Sequence, residues 1–333
     1  MKNFAKLIKL TLIAITFIMM FSCSDDDIVT PVRNSISAIT SKNPQFSTLI
    51  EALDKTGLTQ TLDQNGPFTF FAPTNDAFDT FLLDNGFSSI NDIPVNTLKE
   101  IILNHVANEK MLSTTFTTGY INSLAKGFAS STNNLSIYLD TGENGENTKI
   151  NGISMIIRTD ILASNGVIHE VDKIINLATI IDHIKANPTF STLATAVTST
   201  DSNGNGFGNQ SAVSNALTEN TIPLTIFAPT NDAFTTATTG SGFAVGATPS
   251  QVSTILQYHV TSLGNILSTS LTDEQVISMI TDPSQDITID LSEPSIPKIT
   301  DQATTQANII APVNIQCSNG IIHTIDKVLQ PNL

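Results

Sequence analysis

The sequence predicts an α+β protein built from two tandem domains of one kind. Three observations carry that expectation. Long segments recur in the same order about 150 residues apart. Within each copy the apolar spacing switches between the helical and the strand period, with helices and strands mixed rather than strictly alternating, which indicates α+β. Near the end of each copy an Asn-Gly pair precedes an alternating apolar run, which reads as a hairpin turn and its second strand.

The repeat is clearest in Phe70–Phe78, which recurs as Ile226–Phe234 at an offset of 156. Asn165–Lys173 recurs as Asn319–Lys327, and His105-Val106 as His259-Val260, both at 154. Pro44–Leu49 recurs as Pro188–Leu193 at 144. Copy two therefore carries about twelve extra residues, expected in the Gly/Asn/Ser-rich stretch Thr198–Gln210 as a surface loop. A period of this size is far above that of solenoid repeats, so each copy is a whole domain: residues 34–176 and 177–331. Ile174-Ile175 runs through Asn176 almost directly into Leu177–Asp182. A short junction with limited inter-domain freedom is expected.

Phe46, Leu49, Ile50 and Leu53 have helical spacing, as do Phe190, Leu193, Ala194 and Val197. Phe68–Phe71 and Leu224–Phe227 suit short strands, ended by Pro73 and Pro229. Thr74 or Asn75, and Thr230 or Asn231, can then cap a helix, with Asp76 and Asp232 near its positive end. Leu98, Ile101, Ile102 and His105 form a helical stripe, echoed by Val252, Ile255, Leu256 and His259. In the last strand of each copy, His169 shares a face with Val167 and Val171, and His323 with Ile321 and Ile325.

The N-terminus reads as an address. Lys2, Lys6 and Lys9 precede the apolar run Leu10–Phe21, which is too short for a permanent membrane span and suits a signal peptide over residues 1–22. Ser22-Cys23 resembles a bacterial lipobox, which would place a lipid on Cys23 and leave residues 23–33 as a tether. The acidic run Asp25–Asp27 resembles the surface-export signal of some diderm lipoproteins. An outer-membrane lipoprotein exposed at the cell surface is the expectation, held to the membrane through its N-terminal lipid.

The chain has 333 residues, with 30 acidic against 15 basic side chains and a formal net charge of −15. Such a surface repels nucleic acid, so no nucleic-acid partner is expected. Two cysteines cannot build a disulfide framework or a Cys-rich zinc site. With Cys23 lipidated, Cys317 is expected to be a small core residue.

Phe-Ala-Pro-Thr-Asn-Asp-Ala-Phe near the start of each copy, and Asn-Gly-Val/Ile-Ile-His-x-Val/Ile-Asp-Lys near its end, resemble the two signature segments of the fasciclin domain. The resemblance covers nearly all of residues 34–331. It implies a β-sheet wedge of about seven strands flanked by helices in each domain. It also implies a role in adhesion or surface interaction, with a protein or matrix ligand and no established catalytic site. In some animal members a Tyr-His pair is linked to integrin binding. Tyr258-His259 matches that pair in copy two, whereas copy one has Asn104-His105 without the tyrosine. Tyr258, His259 and His105 are thus the candidate ligand-binding residues.

No nucleophile elbow, Walker loop, dinucleotide fingerprint or His-Glu-x-x-His motif appears, so neither catalysis nor a cofactor is expected. The paired histidines could suggest metal or acid/base chemistry, but zinc needs a third or fourth ligand and no Cys/His cluster supplies one. His105, His169, His259 and His323 are therefore expected to be hydrogen-bonded, partly buried structural residues, with Asp76 a possible partner for such a histidine. His183 is expected to be exposed. Asp201–Gly206 resembles the first half of a calcium loop, but Ala212 stands where a bidentate Glu is needed. The acidic turn Asp140–Glu146 reads as a solvated loop, with weak divalent-ion binding left open. A glycan-binding accessory role is the alternative function. It would need an exposed aromatic platform such as Tyr120 with Tyr138, in a chain without Trp.

Overall fold

The computed structural model describes residues 34–142, 147–199, 210–219, 221–239, 247–293 and 296–333. Residues 34–333 form one compact unit. The signal segment, Cys23, the acidic tether, Glu143–Glu146 and the calcium-like segment Asp201–Gly206 lie outside the described residues.

In the first domain the strands are β1 (Phe68–Pro73), β2 (Val106–Ala107), β3 (Gly119–Gly127), β4 (Ser130–Asp140), β5 (Lys149–Ile150), β6 (Ser154–Ala163) and β7 (Gly166–Val171). Each pairs antiparallel with its sequence neighbour. The ring is closed by a parallel pair between β1 and β7, from Phe68↔Gly166 to Pro73↔Val171. The expected wedge is thus a closed barrel here. The second domain repeats the set as β8 (Leu224–Pro229), β9 (Val260–Thr261), β10 (Val276–Ser278), β11 (Asp286–Asp290), β12 (Lys298–Thr300), β13 (Gln306–Cys317) and β14 (Gly320–Ile325). Its order is β10-β11-β12-β13-β14-β8-β9, the same ring without a β9–β10 ladder. Only Ile280 N–H to Val260 O (2.9 Å) and the Thr261 hydroxyl to Ser278 O (2.7 Å) bridge that gap among the described residues.

β1 and β8 are buried throughout, and apolar except for Thr69 and Thr225, because both faces are covered. Phe70 joins a core with Phe46, Leu49, Leu53, Phe78, Leu98 and Ile102 from the helices, while Phe71 faces the barrel interior with Ile137, Leu139, Ile150 and Val171. Ile226 and Phe227 divide in the same way. Each such side chain contributes about 1.5–3 kcal/mol by leaving water. The helices Ser47–Thr56 and Val95–Leu103 form where the apolar stripes predicted them.

The Asn-Gly hairpin expectation is corrected by one residue. Ala163 pairs with Gly166 and Cys317 with Gly320, so the two-residue loops are Ser164-Asn165 and Ser318-Asn319. The glycines open the strands and serve close approach rather than turn geometry. A Cβ on Gly166 would lie 2.1 Å from Phe68 O, and one on Gly320 2.2 Å from Leu224 O. The asparagines are anchors. Asn165 Oδ1 accepts from Ile36 N–H while its Nδ2 donates to Leu62 O and Gln64 O. Asn319 does the same with Ile180 N–H, Leu217 O and Glu219 O.

Gly166→Ala forces β1 and β7 apart at their first register pair. Thermal and denaturant unfolding should show a loss of about 2–3 kcal/mol, typical of overpacking against backbone that cannot yield. A variant as stable as the parent would refute this role.

Candidate functional site

The structure places the three expected ligand contacts in the interior. Tyr258 and His105 are 0% exposed and His259 is 2% exposed, so none presents a surface to a partner. This corrects the expectation of direct ligand contact, and the reason is their position. Each histidine follows a helix whose last turn it faces. His105 Nδ1 donates to Ile101 O (2.8 Å), which fixes the tautomer and leaves Nε2 to accept from Ile175 N–H (2.9 Å). His259 repeats this with Ile255 O (2.7 Å) and Leu329 N–H (2.9 Å). Each histidine holds the chain as it leaves its domain. Burial pushes both imidazoles down to about 4, against the opposing pull of the helix carbonyl.

The residue before each histidine does a related job. The Tyr258 hydroxyl donates to Asp286 O (2.7 Å) and accepts from Gln302 N–H (3.2 Å), and burial raises its phenol to about 12. Asn104 Nδ2 instead donates to Ile175 O (3.1 Å) and Asn176 O (2.9 Å) while Oδ1 accepts from the Ser123 hydroxyl (2.9 Å). The missing tyrosine of the first copy is therefore an asparagine that grips the inter-domain junction.

His169 and His323 are buried with both ring nitrogens engaged. His169 Nε2 donates to Met111 O (2.9 Å), and its Nδ1 accepts from Asp160 N–H (3.3 Å). His323 uses Ile266 O (2.8 Å) and Asn314 N–H (3.5 Å). Burial lowers both below the ordinary histidine value. Asp76 is partner to none of them. The capping expectation for the other signature residues is met. Thr74 and Thr230 hydroxyls accept from Ala77 N–H (3.3 Å) and Ala233 N–H (3.2 Å). Asp76 and Asp232 sit in the first turn of their helices. Asn75 and Asn231 go further and tie the helix start to Thr48 N–H and Pro44 O, and to Thr192 N–H and Pro188 O.

One expectation about exposure is overturned, and one condition for the alternative function is not met. His183 is 0% exposed because it points toward the first domain, with its ring 5.6 Å from that of Tyr120. Tyr120 and Tyr138 meet with rings tilted by 53°, 5.0 Å between centroids, but Tyr138 is buried and Tyr120 is packed against the second domain's core. The aromatic platform that a glycan site would need is not on the surface. Cys317 is a buried free thiol whose burial pushes its pKa up, as befits an inert core residue. Among the described residues no cluster of three or more His, Cys, Asp or Glu is placed to hold a metal.

The surface feature that sequence reasoning missed is an open groove of about 480 Å³ lined by Asn96, Glu100, Lys126, Phe128, Ser131 and Leu177. Its wall is the β3–β4 hairpin tip, where Phe128 is 54% exposed. Glu100 accepts from Lys126 N–H (2.6 Å), while the Lys126 ammonium bonds Thr132 O and Asn134 Oδ1. The only sequence signal was an aromatic placed just past Gly127.

Comparisons with known proteins agree with this architecture. The fasciclin domain matches residues 44–177 and 188–331. Pig transforming growth factor-beta-induced protein ig-h3 is 28% identical over 150 residues, 45% of this chain and 20% of that protein. Human periostin is 31% identical over 149 residues, 45% of this chain and 17% of its own length. The match thus spans about a fifth of these relatives. A Synechocystis protein, sll1483, is 34% identical over 141 residues, 42% of this chain and 72% of that one. The solved FAS1 domain pair from the insect cell adhesion molecule Fasciclin I covers 87% of this chain and 98% of its own, at a TM-score of 0.52 and 17% identity.

Tyr258→Phe removes one buried hydroxyl, leaves Gln302 N–H without its acceptor and leaves Asp286 O only the Gln302 side-chain donor. It should cost about 1–2 kcal/mol in denaturant unfolding. Acid should do more. His105 and His259 are neutral when folded at about 4 and titrate near 6.5 when unfolded, so the unfolded chain binds more protons between those values. Their stabilisation is complete above pH 6.5 and falls as pH drops toward 4, by on the order of 3 kcal/mol each. A flat stability profile between pH 7 and 4 would contradict the buried neutral state.

Proposed function

This chain belongs to the fasciclin-domain family, and on that premise we propose that it is a non-enzymatic, lipid-anchored surface protein that binds a protein or extracellular-matrix ligand. The anchor is Cys23, and the location is the cell-surface face of the outer membrane. The observation that carries the binding role is how the repeated polar residues are used. All four repeated histidines, both Thr-Asn caps and Tyr258 are committed to holding the fold. What is left for a partner is surface. The relation to a named cell adhesion molecule points the same way. Among the described surface features, the Phe128 groove offers an exposed aromatic beside a carboxylate and an ammonium, a mixture suited to a protein ligand. Two domains carried on one tether also allow avidity where both engage ligand.

The test is binding of the full chain, held in detergent micelles, to immobilised matrix proteins and polysaccharides. Saturable binding to a protein, weakened about ten-fold by Phe128→Ser with no change in melting temperature, is the expected result. Binding to polysaccharides alone would overturn the reading. Cys23→Ala should separately abolish lipid labelling and release the chain from membranes. Continued labelling of that variant would remove the anchor assignment.

A further inference from the structure

The helix Ile180–Ala186 divides its faces between the two domains. Ile180, Ile181 and Ile184 enter the core of the second domain. Asp182, His183, Ala186 and Asn187 turn toward the first. Tyr120 of β3 packs its ring at a tilt of 58° against His183 and accepts from Asn187 Nδ2 (3.3 Å). Gly152 of the β5–β6 turn comes so close that a Cβ there would lie 3.3 Å from the Ala186 Cα. Further hydrogen bonds across the interface use backbone, amide and hydroxyl groups. Ala129 N–H donates to Ser318 O (2.8 Å), Gln316 N–H to the Ser136 hydroxyl (3.0 Å), and Asn133 Nδ2 to Gln316 Oε1 (3.3 Å).

His183 stands apart from the other four histidines. Both of its ring nitrogens are buried and neither has a hydrogen-bond partner in the protein. An imidazole in water satisfies both, so closing the interface over His183 costs about 1–3 kcal/mol for each bare nitrogen. Of the titratable groups around it only the Asp182 carboxylate favours a charged ring, and burial outweighs it. Tyr120 is a neutral phenol on β3, Cys317 a neutral thiol on β13, and the Asp182 carboxylate on its own helix is occupied by Thr179 N–H (2.8 Å) and the Thr179 hydroxyl (2.7 Å). An imidazolium in this position has no acceptor.

We propose that the two domains separate reversibly on acidification, with His183 as the proton-sensing group of their interface. Separation frees the ring from Tyr120 and lets water reach its nitrogens. Closed, burial holds the imidazole at about 4. Open, it returns to about 6.5. The open state therefore gains protons first as pH falls through 6.5, and the closed-to-open ratio drops by about 160-fold by pH 4, toward a limit of about 300-fold below it.

The test is hydrogen exchange of the full chain in detergent micelles, corrected for the intrinsic pH dependence of exchange. The Ala129 and Gln316 amides report the interface. Phe68 N–H to Asn165 O and Leu224 N–H to Asn319 O report the folded state of each domain. Between pH 7 and 4.5 the two interface amides should lose protection at least ten-fold, while the two internal amides lose only what the titration of His105 and His259 takes from domain stability and stay better protected than the interface throughout. His183→Leu should hold the interface closed over the same range, and His183→Gln serves the same purpose if the leucine variant does not fold. Full protection of Ala129 and Gln316 at pH 4.5 would overturn the proposal. So would equal loss in the non-titrating variant, and so would interface amides that exchange no faster than the internal ones at pH 4.5, which would mean acid unfolding of a domain instead.

Discussion

Each domain depends on one parallel strand pair joining its beginning to its end. β1 and β7 lie about 100 residues apart in the chain, and β8 and β14 are separated similarly. Closing such a long loop costs entropy that grows only slowly with length, but it is incurred before any contact across the ring is made. The pair offsets that cost by being buried on both faces, and by letting two backbones meet where only glycine fits. The other repeated features attach to its ends. Asn165 and Asn319 hold the incoming chain at one end. At the other, Thr74 N–H reaches Val171 O and Thr230 N–H reaches Ile325 O, which sets where the capped helix begins.

This geometry explains how much could be read from sequence. The two-domain plan, the helical stripes, the strands ending at Pro73 and Pro229, and the Thr caps are encoded by local periodicity and cap chemistry, which need no tertiary knowledge. The Asn-Gly reading failed by one position because turn preference and close approach both select glycine, and sequence does not separate them. Tyr258 and His259 read as surface residues only through a resemblance, although His259 continued a buried stripe and its own spacing pointed inward. His183 was misplaced for a different reason. It occupies a helix face that one domain alone would leave to solvent, and only the neighbouring domain buries it.

The two copies diverge where the second domain must be joined to the first. In copy two the Tyr258-His259 pair fastens the barrel side of its own domain and the C-terminal segment at Leu329. In copy one the matching segment is the junction itself, and Asn104-His105 takes hold of Ile175 and Asn176 through three hydrogen bonds. The first domain thereby sets the direction in which the second begins. Asparagine suits this better than tyrosine, since its short amide offers two donors to adjacent carbonyls and still accepts from Ser123.

The interface is therefore fixed at one edge and polar at the other. At the junction edge the chain is stapled by groups that are fully hydrogen-bonded. At the far edge the β3–β4 hairpin reaches Ser318 and Gln316 through a few amide contacts, and Gly127 lets its backbone lie against Ser318. Between them sits His183 with two unmet nitrogens, together with the unmet Ser318 hydroxyl. An interface selected only for strength would fill that space with apolar side chains, which avoids the desolvation cost of bare polar atoms. A hydrogen-bonded junction, a rim of few polar contacts and a bare imidazole between them are the features on which the proposed opening about the junction rests.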